Sequence, residues 1–171
     1  MVRRVDFASM TTAVFPGSFD PFTIGHRYIV ERAAGRFDEL VVTVVVNPNK
    51  HGLLGVDERI ALIREDCAHL PNVRVDRWTG LLVDYLRREG IGTMVKGLRS
   101  GVDFDYEVPM AQMNRDLADV ETMFLLTDPR FAHVSSSLVK EVAKLGGDVT
   151  PFLSPHIHQR VTAVLAGERQ V

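Results

Sequence analysis

Cysteine, an excess of basic charge and long apolar runs are what this sequence has least of. The 171 residues contain one cysteine, Cys67, which excludes an internal disulfide and is typical of a reducing compartment. Its place in an amphipathic pattern predicts a buried packing role. Twenty lysines and arginines stand against 22 acidic residues, so no bulk basic field favours binding to nucleic acid. No apolar run is long enough to cross a membrane.

The first ten residues, M-V-R-R-V-D-F-A-S-M, contain two arginines but no apolar segment of the kind found in a signal peptide. We therefore expect a cytoplasmic protein with no membrane partner. Met10 stands just before the first apolar run, so residues 1–9 are interpreted as a non-essential N-terminal extension, with Met1 and Met10 both open as the start. Length and a hydrophobic content of 46% predict a single domain over residues 1–171.

Short apolar runs alternate with helical patterns along the chain. The run V-V-T-V-V-V, residues 41–46, is typical of a strand that is buried on both faces of a parallel sheet. The predicted strands are Thr12–Phe15, Leu40–Val46, Val73–Arg77, Thr93–Lys96 and Glu121–Leu126. The predicted helices are Gly25–Ala34, Asp57–Leu70, Leu81–Glu89, Asp103–Leu117, Ser135–Leu145 and Pro155–Ala166. This order predicts an α/β protein: a single Rossmann-like, doubly wound domain with a five-stranded parallel sheet.

The segment F-P-G-S-F-D-P-F-T-I-G-H, Phe15–His26, joins the first strand to the first helix. In an α/β protein such a turn lies at the carboxyl end of a strand, where phosphates and nucleotides bind. The helix N-terminus offers free N–H groups to an anion, and His26 in the first helical turn can stabilise charge developing on that anion. A tight turn with a surface histidine is the alternative, and the density of polar and turn residues favours phosphate chemistry.

Two further segments suit an anion. In V-K-G-L-R-S-G-V-D-F-D-Y-E, Val95–Glu107, Lys96 and Arg99 follow the fourth strand, and Arg is able to grip a phosphate with two hydrogen bonds. In V-S-S-S-L-V-K, three serines open a helix and leave hydroxyl and N–H groups for an anion. Taken singly, the first segment is explained equally well by a basic surface turn, and the second is explained better by an ordinary capped helix.

Together the three segments resemble the nucleotidyltransferase superfamily related to class I aminoacyl-tRNA synthetases. T-I-G-H matches its T/H-x-G-H signature, and V-S-S-S-L-V-K matches its second signature, [I/V]-S-[S/T]-[S/T]-x-x-[K/R]. The longer strings resemble the phosphopantetheine adenylyltransferase family of bacterial coenzyme A synthesis. The resemblance extends from Thr12 to about Leu165. Ser18 stands where some members have Thr, and Lys96 where some have Arg.

The resemblance implies a site for ATP and a site for 4′-phosphopantetheine. The implied catalytic residues are His26, Lys50, Lys96 and Ser18. The residues implied to bind ATP are Ser18, Phe19, His26, Gly97, Leu98, Arg99, Glu107, Phe131, Ala132, His133, Val134, Ser135, Ser136 and Ser137. The residues implied to bind the acceptor are Ser18, Lys50, Leu82 and Lys96. Leu82 is equally well read as a core leucine, and Lys140 is given little weight as a ligand.

The resemblance also implies the reaction: reversible transfer of an adenylyl group from ATP to 4′-phosphopantetheine, giving dephospho-CoA and pyrophosphate. Mg²⁺ is expected to accompany ATP with few protein ligands, and no dedicated protein metal site is expected. Family members form homohexamers, as dimers of trimers, and the same is expected here. Two alternatives stay open: a nucleotidyltransferase for nicotinamide mononucleotide or an alcohol phosphate, and a non-catalytic nucleotide-binding or sensor protein.

Overall fold

The computed structural model describes residues 11–49 and 51–168, which form one sheet covered by helices. The strands are β1 (Thr12–Gly17), β2 (Glu39–Val46), β3 (Val73–Thr79), β4 (Thr93–Leu98) and β5 (Glu121–Leu126). Their order is β3-β2-β1-β4-β5, and every neighbouring pair is parallel. The predicted α/β fold with a five-stranded parallel sheet is confirmed. The interpretation of residues 1–9 concerns a segment outside the described residues.

Within the described residues, six α-helices connect and follow these strands. They are α1 (Ile24–Ala34), α2 (Val56–Asp66), α3 (Leu82–Glu89), α4 (Gly101–Ala118), α5 (Ser136–Lys144) and α6 (Pro155–Glu168). Two single-turn 3₁₀ helices, Pro129–Phe131 and Thr150–Phe152, were not predicted. The predicted second helix ran too far, to Leu70. Pro71 disfavours helical backbone at Leu70, and the α-helix ends before that, at Asp66, with Cys67 as its C-cap.

The strand order reverses direction beside β1. From β1 the chain builds outward through β2 and β3, then returns to place β4 on the other side of β1, with Val14 opposite Met94. Loops that leave β1 and β4 then diverge, and this opens a crevice outside the carboxyl ends of the two strands. The Phe15–His26 segment and the Lys96–Arg99 segment both lead into that crevice.

Alternation of side chains along β1 supplies a core on each face of the sheet. Ala13 and Phe15 belong to the larger core, which also takes apolar side chains from α1, α2, α5 and α6. Val14 belongs to the smaller core with Tyr85 and Leu86 of α3. Strand β2 is buried along most of its length, as its continuous apolar run predicts.

Cys67 ends α2 and is buried in the larger core, so the predicted packing role is confirmed. Burial, and next the negative charge of Asp66, raises the pKa of its thiol to about 12. A thiol with that pKa carries almost no thiolate at neutral pH and is chemically inert.

Helix α4 is more exposed than its pattern predicts. The spacing of Phe104, Val108 and Ala111 places them on one face of the helix, but Phe104 is 44% exposed, and Asn114 is the buried residue of this helix. The exposed apolar side chains of α4 are Val102, Phe104, Tyr106, Met110, Met113 and Leu117.

Candidate active site

A cleft of about 540 Å³ lies at the carboxyl edge of the sheet, where β1 and β4 end. Its walls come from the turn after β1, the first turns of α1 and α4, the end of β4 and the start of α5. The predicted site residues that line it are Ser18, Phe19, His26, Lys96, Gly97, Arg99, Glu107, Phe131, Val134, Ser135, Ser136 and Ser137. Three segments far apart in the sequence therefore meet in one place.

The turn after β1 has an unusual backbone. Phe19 has a φ of 48°, which residues with a Cβ rarely adopt, and its ring is buried. The ring lies so close to Gly17 that a Cβ there would meet Phe19 Cε1 at 2.7 Å. Gly17 thus permits the turn that brings Ser18 to the cleft. Strain of this kind is typical of ligand-binding turns.

His26 is held by the N-terminus of its own helix. Its Nδ1 accepts a hydrogen bond from the backbone N–H of Thr23 at 3.0 Å. The backbone N–H of His26 donates to Thr23 Oγ1 at 3.4 Å. The rings of Phe19 and Phe22 lie 5.2 and 5.5 Å from the imidazole. Because Nδ1 is an acceptor here, the neutral ring carries its hydrogen on Nε2. His26 is thereby presented to the cleft as a neutral donor.

The electrostatics favour the same form of His26. Burial, and next the positive charge of Arg99, lowers its pKa from 6.5 to about 4. We expect the Hε1 resonance of His26 in the free protein, identified by its loss in His26→Gln, to titrate near pH 4. In the urea-unfolded chain the same titration is expected at about 6.5. A folded-state midpoint near the ordinary value would contradict this assignment.

The lowered pKa of His26 makes the stability of the folded protein depend on pH. The unfolded chain binds the His26 proton at a higher pH than the folded chain. Protonation of this residue therefore lowers stability as the pH falls from about 6.5 to about 4.

Both predicted cations of the cleft are paired with carboxylates of α4. Lys96 Nζ lies 3.2 Å from Glu107 Oε2. Arg99 donates from Nε and Nη2 to the two oxygens of Asp103 at 2.9 and 3.0 Å. The hydrogen bonds from Arg99 hold the pKa of Asp103 below its ordinary value, although burial opposes them. The pairs fix each cation in place before any ligand arrives.

The start of α5 faces the cleft with its serines. Ser135 caps the helix, since its Oγ accepts the N–H of Leu138 at 3.2 Å. Ser136 Oγ donates to the carbonyl of Pro21 at 2.8 Å, which ties α5 to the turn after β1. Ser137 lines the cleft directly. Free N–H groups and the positive end of the helix dipole favour an anion at this point.

Several predicted ligands lie elsewhere. Leu98 is buried, and Leu82 packs at the edge of the smaller core. His133 is exposed, with its ring 5.5 Å from that of Phe152. Neither these three nor Ala132 is among the cleft-lining residues, and Lys50 is outside the described residues. The contacts assigned to these five residues stay predictions.

Asp103 is a site residue that the sequence reading missed. It lies four residues after Arg99, a spacing that brings a carboxylate and a guanidinium together at a helix start. Tyr106 also lines the cleft and was not predicted. It lies in the Val95–Glu107 segment next to Glu107, but no role was assigned to it.

Neither a metal centre nor a membrane span emerges from the described part of the chain. Residues 11–49 and 51–168 contain no group of three or more His, Cys, Asp or Glu side chains arranged to hold a metal ion. Within the same ranges, the helices are too short or too polar to span a membrane.

Comparison with known proteins places the chain among nucleotidyltransferases. Residues 14–142 match the family model described as cytidylyltransferase-like. A solved structure of a candidate nicotinate-nucleotide adenylyltransferase from Vibrio parahaemolyticus covers 94% of both chains with a TM-score of 0.63 at 18% identity, a likeness of fold. The fold, the cleft and the family match define a nucleotidyltransferase of the cytidylyltransferase-like class.

A curated sequence relative narrows this class. The phosphopantetheine adenylyltransferase of Corynebacterium diphtheriae is 57% identical over 149 residues, which are 86% of this chain and 94% of that protein. The chain belongs to the phosphopantetheine adenylyltransferase family.

Proposed function

We propose that this enzyme transfers the adenylyl group of ATP to 4′-phosphopantetheine, reversibly, to give dephospho-CoA and pyrophosphate, the penultimate step of coenzyme A synthesis. The observation that carries the proposal is the meeting of His26, Lys96, Arg99 and the start of α5 in one cleft. The corynebacterial relative with 57% identity supports the choice of acceptor.

The chemistry needs positioning and charge stabilisation more than a base. A phosphate oxygen of the acceptor attacks the α-phosphorus of ATP, and the bond from that phosphorus to the β-phosphate oxygen breaks. The acceptor phosphate is already ionised near neutral pH, so no proton need be removed from it. Catalysis then rests on alignment of the two ligands and on donors aimed at the charged phosphoryl oxygens.

Each end of the cleft suits one part of this reaction. His26 donates from Nε2, and Ser18 contributes its polar groups, at the α-phosphate. Arg99 and residues 135–137 stabilise the pyrophosphate as it leaves. Lys96 and Lys50 hold the phosphate of the acceptor, as the family resemblance implies.

Mg²⁺ fits this site as part of the ATP complex. The cleft carboxylates Asp103 and Glu107 are engaged by Arg99 and Lys96, so the donor set suits a polyphosphate better than a bare cation. Mg²⁺ keeps waters and binds nucleotide phosphates readily, and there it neutralises phosphate charge. We place the reaction in the cytoplasm, where the single buried Cys67 stays reduced.

The decisive assay is pyrophosphate release from ATP and Mg²⁺ with a panel of acceptors. The proposal expects release with 4′-phosphopantetheine and little with nicotinamide mononucleotide or an alcohol phosphate. Preference for one of these last two would identify a different transferase. ATP binding without release for every acceptor would identify a sensor protein and overturn the proposal.

We further propose that six copies assemble, as in the family. The exposed side chains of α4 include Met110, Met113 and Leu117, and Leu126 at the edge strand β5 is also exposed. Apolar surface of this kind, rich in Met, is typical of an interface between copies. Light scattering of the wild type is expected to give the mass of a six-chain particle. The same measurement on Met113→Glu is expected to give a smaller mass. A monomeric wild type at micromolar concentration would contradict the assembly.

A further inference from the structure

Asp20 lies in the turn after β1 and is not used by the chemistry described above. Its side chain is 6% exposed. The backbone N–H of Leu53 donates to Oδ2 and that of Leu54 to Oδ1, each at 2.9 Å. These two bonds attach the loop between β2 and α2 to the turn that carries Ser18.

Two cations complete the surroundings of Asp20. Lys140 of α5 donates from Nζ to Oδ2 at 2.8 Å, and Arg59 Nε of α2 lies 3.6 Å from Oδ1. Burial by itself would raise the pKa of Asp20, but hydrogen bonds from Lys140, Leu54 and Leu53 lower it below its ordinary value. The carboxylate is therefore ionised and joined to three elements at once.

Arg59 strengthens the same connection. It is 8% exposed, and its Nε donates to the carbonyl of Leu54 at 2.8 Å. Its Nη1 donates to the carbonyl of Ser18 at 3.2 Å. One buried ion pair thus holds both the loop and the backbone next to the α-phosphate position.

The elements joined at Asp20 are the ones that the reaction must align. The turn carries Ser18. The loop residues that Asp20 binds come three and four positions after Lys50. Helix α5 begins with the serines at residues 135–137. We propose that Asp20 is a positioning residue that fixes the loop after Lys50 relative to the bound nucleotide, and so sets the distance between acceptor phosphate and α-phosphate. This inference rests on the proposed function.

The loop is expected to depend on Asp20 more than α5 does. Helix α5 has a second attachment to the turn, through Ser136 Oγ and the carbonyl of Pro21. The loop is held by Asp20 directly and by Arg59, which is itself paired with Asp20. Loss of the carboxylate charge should therefore loosen the loop that follows Lys50, which is proposed to hold the acceptor phosphate, and leave the ATP-binding part of the cleft nearly intact.

Gly52 gives an independent way to disturb the same contact. A Cβ on Gly52 would lie 1.9 Å from Arg59 Nη2 and 3.1 Å from Asp20 Oδ2. A side chain there must displace either the loop or the Arg59 guanidinium from the ion pair, while every charge is retained. At Gly55, in the same loop, a Cβ would meet no atom within 4 Å. Gly55→Ala is thus a matched control for Gly52→Ala.

The first test replaces Asp20 with Asn, which keeps the shape but removes the charge. We expect the KM for 4′-phosphopantetheine to rise ~10–30-fold and kcat to fall, since small misplacements of reacting groups cost up to about 10²-fold. The Kd for ATP, measured without acceptor, should change by less than ~3-fold, a smaller effect than the loss of a charged ligand contact. Asp57→Asn, at an 89% exposed side chain, changes the net charge equally and should leave both constants as in the wild type.

Amide exchange reports the positioning without any turnover. In Asp20→Asn the amides of Leu53 and Leu54 are expected to exchange at least ~10-fold faster, while those of β1 and β2 keep their protection. Gly52→Ala should reproduce the rise in acceptor KM, and Gly55→Ala should not. If Asp20→Asn does not fold, the glycine pair decides the question.

The outcomes separate the two proposals. A wild type that releases no pyrophosphate with 4′-phosphopantetheine would overturn the proposed function. An active wild type with unchanged acceptor KM in both Asp20→Asn and Gly52→Ala would overturn the role of Asp20. An equal loss of ATP and acceptor binding would show a merely structural residue and would also overturn it.

Discussion

Replacement of His26 by alanine is expected to lower kcat by ~10²–10³, the range found when a preorganised donor to developing charge is removed. The ring is fixed before substrate binds, because Nδ1 accepts the N–H of Thr23 and aromatic rings enclose it. The free-energy cost of fixing the His26 ring is therefore met when the protein folds, before substrate binds. ATP affinity should fall less than kcat, since the triphosphate would keep the contacts proposed for Arg99 and the start of α5.

Two further variants at this position separate the donor from the helix cap. His26→Asn can place an acceptor where Nδ1 lies but has no group at Nε2, so it should keep most of the thermal stability and lose as much kcat as His26→Ala. Gln is an ordinary third residue of a capping box and also carries an amide N–H that can reach the Nε2 position, so His26→Gln should recover part of kcat at a Tm close to that of the wild type. Near-normal turnover in His26→Asn would refute the donor role.

Local pattern was sufficient to find all five strands of the sheet but not every strand or helix end, since β1, β3 and β4 each run two residues beyond the predicted limits. Strand β2 is apolar along most of its length because both of its faces are covered, so its limits were predicted to within one residue. The end of α2 was missed because helical spacing continues to Leu70, whereas the chain leaves the helix after Asp66 to reach β3. The exposure of α4 was missed because an apolar stripe reads the same whether it faces the sheet or another molecule.

The candidate site was predictable where one short segment carries the chemistry. Two segments can be recognised in the sequence by their residue types at fixed spacing: the turn that holds His26, and the serines that begin α5. Asp20 and Arg59 cannot be recognised in this way, because most of their partners stand 33 to 120 positions away in the sequence. A buried ion pair that joins separate elements becomes visible only when the fold brings its members together.

Replacement of Arg99 by alanine is expected to weaken ATP binding by about 10²-fold, the upper end of the range for losing one hydrogen bond to a charged group. Two contributions make up this loss: the direct contact of Arg99 with the nucleotide, and a repulsion that has a structural cause. Arg99 is paired through two hydrogen bonds with Asp103, whose side chain is 22% exposed at the mouth of the cleft. Without Arg99, that carboxylate faces the triphosphate uncompensated, and like charges repel.

The double variant Arg99→Ala/Asp103→Asn isolates this repulsion. Calorimetric titration with ATP, in the absence of acceptor, should show that the double variant binds about 10-fold more tightly than Arg99→Ala, since the second change removes the unpaired charge. Asp103→Asn alone serves as the control and should stay within ~3-fold of the wild type, because Arg99 still carries its charge. Arg99→Lys should recover only part of the affinity, because an ammonium lacks the planar fork of the guanidinium.

A double variant that binds no better than Arg99→Ala would mean that Asp103 contributes no repulsion. The whole loss would then belong to the direct contacts of Arg99 with the nucleotide.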